Sequence, residues 1–150
     1  MFVIAVLSVV AAIGAVSVRP AQQANPAREV AQLQTDLLAA QWLGISRGQR
    51  LAVHLRADGY AVHRCGDTCD TDAPLAEGAN GPLSHTLAPG AGLVSSAGAL
   101  PLALYVDTLG RPALTTTPGA MLAQTLTFTV TAAGRSATLV LSPLTGFTTR

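Results

Sequence analysis

The chain has 150 residues, enough for one domain, with 49% hydrophobic and only 11% charged residues and a mean hydropathy of +0.42. Charge stands at about half its usual share in a soluble domain, and the apolar content excludes intrinsic disorder. Nine arginines, eight acidic residues and no lysine give a net charge of +1, too balanced for a dedicated polyanion binder, and 4% aromatic residues provide no stacking platform for bases.

The hydrophobicity is concentrated at the start. Met1 to Val18 carries no charge, and the first charged side chain is Arg19. As a helix this stretch would reach about 27 Å, just short of the roughly 30 Å hydrocarbon core of a bilayer. A secretory signal is disfavoured: no basic stretch precedes the apolar run, and the near-match to a cleavage site, Ala12-Ile13-Gly14, lies inside it. We expect residues 1–19 to form a transmembrane or helix-packing segment and residues 20–150 a separate head.

A Gln- and Ala-rich amphipathic stretch follows. Asn25-Pro26 reads as a helix start, Asn as cap and Pro in the first turn. Val30, Leu33, Leu37, Leu38, Trp42 and Ile45 fall on one stripe of a 3.6-residue helix, and Arg47-Gly48 is a stop. The expected helix is 26–47, either continuous with the apolar segment or kinked from it near Pro20 and Pro26.

From Arg50 the pattern changes to period two. Asp58-Gly59 between alternating segments is a strong hairpin signal. With those two as the turn residues, Leu55 faces Val62 and His54 faces His63. Leu51, Val53, Leu55, Tyr60 and Val62 then share the face that packs against the helix. Residues 65–98, rich in Gly, Pro, Asp and Ser, read as a long loop. Further strands are expected at Leu100–Val106, Thr125–Thr131 and Ser136–Ser142, the last two joined at Ala133-Gly134. The fold class is α+β, a long N-terminal helix on an antiparallel β-sheet over 50–150.

Met1, Val3, Ile4, Ala5, Ala11, Ala12 and Ile13 match the second part of the N-terminal helix of type IV pilins and pseudopilins, which the segment resembles. Downstream, Leu37-Leu38, Ser46-Arg47-Gly48-Gln49, Ala57-Asp58-Gly59-Tyr60, the run Val106-Asp107-Thr108-Leu109-Gly110-Arg111-Pro112 and the late Pro143-Leu144-Thr145-Gly146-Phe147 are similar to minor pseudopilins of the GspH/FimT type. The Asp-x-Leu-Gly-Arg-Pro phrase is closest in feel to minor pilins of mannose-sensitive haemagglutinin pili. The family's leader and the segment carrying its Glu have no counterpart ahead of Met1. About six more residues would extend the apolar span to about 24, a comfortable membrane crossing, so we expect the natural start to lie upstream.

The resemblance implies a non-enzymatic subunit of a type IV pilus or type II secretion pseudopilus, acting in filament assembly or priming. Such a subunit is held single-pass in the inner membrane with its head in the periplasm until an assembly platform extracts it, and it needs no cofactor. Its partners are other pilin subunits. Phe2, Val3, Ile4, Val6, Leu7, Val9, Val10 and Ile13 would pack in the membrane and the filament, and Val30, Leu33, Leu37, Leu38, Trp42, Leu51, Val53 and Leu55 would join helix to sheet. The alternative is a DNA-capturing pilus subunit, with Arg47, Arg50, Arg56 and Arg64 as the phosphate contacts.

Other chemistry is outweighed by plainer readings. Gly44-Ile45-Ser46-Arg47-Gly48 fits the G-x-S-x-G pattern of hydrolases, but a nucleophile elbow runs from strand to helix and here the order is reversed. Cys65 and Cys69, the chain's two cysteines, are expected to pair in an oxidising compartment. His54, His63 and the Cys65 thiolate, with Asp67 or His85, could gather a metal ion, and Asp67, Asp70, Asp72 and Glu77 a calcium ion without the spacing of a calcium loop. Both groups are expected to be solvated surface, and no metal site is assigned.

Overall fold

The computed structural model describes residues 24–65, 69, 74–75, 81–143 and 146–149. The apolar segment 1–19, including Phe2 to Ile13, and the acidic positions Asp67, Asp70, Asp72 and Glu77 lie outside the described residues. No helix among the described residues is long and apolar enough to cross a membrane.

Helix α1 runs Pro26–Arg47, the bounds expected. The Asn25 side chain accepts a hydrogen bond from the Ala27 N–H and Pro26 sits in the first turn, where a missing N–H costs nothing. Gly48 ends the helix in the left-handed conformation (φ 60°), which glycine adopts without strain, and its N–H reaches back to the last carbonyls.

Two antiparallel sheets receive this helix. The first has the order β3-β2-β1-β5-β6, with β1 Arg50–Arg56, β2 Gly59–Cys65, β3 Ser84–Thr86, β5 Leu102–Val106 and β6 Pro112–Ala113. The second has the order β4-β7-β8-β9, with β4 Ala91–Ser95, β7 Leu126–Ala132, β8 Arg135–Ser142 and β9 Gly146–Thr149. Helix α1 packs on strands of both, chiefly β7 and β8. The single sheet expected over 50–150 is therefore two, and the expected loop 65–98 contains β3 and β4. Ala133 and Gly134 make the β7–β8 turn, both with positive φ, as a type I′ hairpin requires.

The first hairpin turns one residue earlier than expected. Arg56 pairs with Gly59, Leu55 with Tyr60, Val53 with Val62 and Ala52 with His63, so Ala57 and Asp58 occupy the turn. The reason is Gly59, which is used for a close approach: a Cβ there would lie 2.3 Å from the His85 carbonyl oxygen of β3. Opposite partners shift by two positions, which preserves the faces. Leu51, Val53, Leu55, Tyr60 and Val62 all point into the core beside Val30, Leu33, Leu37 and Ala40 of the helix. Leu93, Phe128, Val130, Leu139 and Leu141 close it from the second sheet. The hairpin tip also joins the sheets, because Leu93 N–H of β4 donates to the Ala57 carbonyl at 2.9 Å.

Candidate functional site

Helix α1 has three distinct sides. One is apolar and sealed: Val30, Leu33, Leu37 and Ala40 are each at most 3% exposed. At Gly44 the helix backbone comes so close to the end of β5 that a Cβ would sit 3.0 Å from the Asp107 carbonyl.

A second side is polar and fixes the first half of the helix. Asp36, buried, accepts a 2.7 Å hydrogen bond from the Tyr60 hydroxyl, and Gln32 donates to both of its oxygens at 3.1 Å. Burial, then the Asp36 hydrogen bond and charge, push the Tyr60 phenol far above its ordinary pKa, so it stays a donor. Two turns before Asp36 the buried Glu29 meets His85 of β3 at 2.6 Å. Removing His85 would leave the buried Glu29 carboxylate unsatisfied, at a cost of about 1–3 kcal/mol.

The third side is apolar and bare. Leu38 is 44% exposed, Trp42 73% and Ile45 57%. The expectation that Leu38 and Trp42 belong to the helix–sheet core is therefore corrected. They lie about 100° around the helix from Leu37 and Gln41, and the head covers only the neighbouring stripe. Ile45 rests on the 107–110 turn, since a Cβ on Gly110 would be 2.8 Å from its Cδ1, and Gln41 Nε2 donates to the Gly110 carbonyl at 2.9 Å. Leu109, next to that glycine, is 65% exposed.

The turn supporting this flank is itself rigid. Asp107 accepts from the backbone N–H groups of Leu109 (2.9 Å) and Arg111 (2.8 Å) and from the Arg111 guanidinium (2.7 Å). Burial alone would raise the Asp107 carboxyl, but the hydrogen bonds from Arg111 and Leu109 and the Arg111 charge outweigh it and hold the carboxyl below its ordinary pKa. A depressed folded-state pKa gives stability that is complete above the unfolded value of 3.8 and lost as pH falls through the folded one. Asp107→Asn is expected to cost about 1–2 kcal/mol at pH 7. It should also flatten the fall in unfolding midpoint expected of the wild type below pH ~4, which thermal melts at stepped pH will read.

The remaining candidate residues fall elsewhere. Arg50 donates to the Thr116 carbonyl and Arg56 pairs with Asp58 at 3.5 Å. Arg50 and Arg56 stand at opposite ends of β1, and the register puts Arg50 and Arg64 on opposite faces of the sheet, so the four arginines do not form one patch. Ser46 is in the last helical turn, its hydroxyl donating to the Leu43 carbonyl at 3.4 Å. Cys65 and Cys69 are disulfide-bonded, which removes the thiolate from any metal set. His54 and His63 are diagonal rather than opposite, yet share the outer face of the first sheet with ring centroids 5.0 Å apart. The bare flank of α1 was the feature sequence reasoning missed. A second apolar stripe beside the first was its visible signal.

No protein-family model matches the sequence and no curated protein matches it. Solved structures do. The type IV minor pilin FimU of Pseudomonas aeruginosa superposes with a TM-score of 0.61 at 12% identity, over 83% of this chain and 87% of that one. The minor pseudopilin EpsH from the type 2 secretion system of Vibrio cholerae gives 0.63 at 12% identity, over 83% and 95%. The fold is thus the α+β pilin-like fold that these minor pilins and pseudopilins share.

Proposed function

We propose that this chain is a minor pilin or pseudopilin, a non-enzymatic subunit of a type IV pilus or type II secretion filament that acts in its assembly or priming. The carrying observation is the bare apolar flank of α1, Leu38, Trp42 and Ile45, on a helix whose other two sides are committed to its own head. Water-exposed apolar surface of this kind marks contact with another protein, and a Trp at its centre is the residue type that most often dominates such contacts. The pilin-like fold supports the same reading.

The apolar segment 1–18 supplies the rest in sequence terms. We place it as a single-pass anchor in the inner membrane, with the head in the periplasm, and as the filament-core helix once an assembly platform has extracted the subunit. Phe2, Val3, Ile4, Val6, Leu7, Val9, Val10 and Ile13 do the packing. The partners are then other pilin or pseudopilin subunits, whose helices lie along the same axis.

In the native cells, the wild-type chain should be recovered in the sheared filament fraction. Trp42→Glu should lower that recovery by about tenfold or more, since loss of a central aromatic anchor costs about 2 kcal/mol or more of binding. The amount of chain in the membrane fraction and the unfolding midpoint should not change. Undiminished recovery of Trp42→Glu in filaments would remove α1's flank from assembly, and absence of the wild type from filaments would remove the reading itself.

A further inference from the structure

Outside α1 and its flank, the molecule has a second built feature, on the opposite face of the first sheet. A groove of about 610 Å³ is lined by His54, His63, Ala61, Arg56, Ser84 and Thr86, among others. His54 and His63 stand in it as diagonal neighbours across β1 and β2, and the residues paired with them, Ala61, Ala103 and Ala52, are all alanines, which leave the space around the two rings unfilled. The His54 Nε2 atom is shut off from solvent and has no hydrogen-bond partner among the described residues. Buried ring nitrogens are nearly always bonded to something, so an orphaned one calls for an occupant.

We propose that His54 and His63 together bind a divalent transition-metal ion of the zinc type, with solvent filling the remaining positions. The ring spacing fits. A metal bound at about 2.1 Å from an imidazole nitrogen lies roughly 3.2 Å from the ring centroid, so two rings on one tetrahedral ion have centroids about 5.2 Å apart. The observed separation is 5.0 Å. The rings are almost perpendicular, at 87°, which two independent ligands on one ion tolerate. Arg56 would oppose a cation, but its charge is turned to Asp58. His85 also borders the groove, but its Nε2 is committed to Glu29 at 2.6 Å, so it is left out of the pair. Two histidines hold zinc less tightly than the three or four protein ligands of dedicated sites, so the ion is an exchangeable one.

The test is titration of the full chain in detergent, without a polyhistidine tag, with Zn²⁺ in a non-chelating buffer at pH 7.5, followed by calorimetry. We expect one ion per chain. His54→Gln and His63→Gln should each weaken binding at least about tenfold, and His85→Gln should leave it unchanged. In parallel, the imidazole nitrogen spectrum of the wild type should show the His54 Nε2 resonance moving on zinc addition, a readout that does not depend on any variant folding. Failure to take up zinc overturns the proposal. So does uptake that survives His54→Gln, which would place the ion on other donors, or a His54 Nε2 resonance that stays put.

Discussion

Leu37→Ala and Leu38→Ala, one residue apart and chemically identical, are expected to part company completely. Leu37 is fully buried, and truncating it opens a cavity where the helix meets both sheets, at a cost of about 3–4 kcal/mol. For a chain of this size that lowers the thermal midpoint by roughly 10 °C or more. Leu38 is 44% exposed, so its truncation should cost less than about 1 kcal/mol and leave the midpoint almost unmoved. Recovery in filaments should show the reverse selectivity once corrected for the amount of folded chain: Leu38→Ala impaired, Leu37→Ala not. Equal destabilisation by the two would mean that Leu38 is covered by its own head.

Among the glycines of the described residues, Gly59→Ala is expected to be the most damaging change to alanine. The new Cβ would meet the His85 carbonyl at 2.3 Å, and the obstacle is backbone, which cannot rotate away. Strand β3 must therefore retreat from β2. With it go the Tyr60–His85 pairing and the 2.6 Å contact between His85 and Glu29, for a total of about 3 kcal/mol. Gly92→Ala, in β4, is the control: its nearest foreign atom, Thr131 Oγ1, would be 3.8 Å away, and the change should fall within about 0.5 kcal/mol of neutral. Denaturant unfolding gives both values. Hydrogen exchange should in addition show the amides of Ser84–Thr86 losing protection in Gly59→Ala while those of β7 and β8 keep it.

What could be read from the sequence and what could not divides along the range of the interactions involved. Helix α1 was legible to the residue because Asn25-Pro26 and Arg47-Gly48 set its ends locally. The inward face of β1 and β2 was legible because alternation survives an even shift in pairing. The turn itself was not: Asp58-Gly59 carries the signal of a two-residue loop, whereas Gly59 answers to β3, twenty-odd residues on, whose approach no local pattern reveals. Strands β3 and β6, of three and two residues, are too short to show a period, and the division into two sheets depends on pairings between distant segments. On α1, Leu38 and Trp42 have the same chemistry as Leu37 and Leu33. Apolarity says that a side chain wants cover, but not whether its own domain or another molecule provides it.

The helix that begins the described chain rests on strands that end it. Helix α1 packs mainly against β7, β8 and β9, so residues 26–47 find most of their seat only at 126–149. During synthesis the helix is complete about a hundred residues before its last support exists. Its sealed stripe, with Leu33 and Leu37, must meanwhile remain as bare as the Leu38 and Trp42 flank beside it. A nascent chain thus presents apolar surface on two sides, and only the arrival of the C-terminal strands reduces it to one. Closing loops of that length makes folding slow. The order of events therefore leaves a single exposed apolar flank on the helix only after the whole chain has emerged.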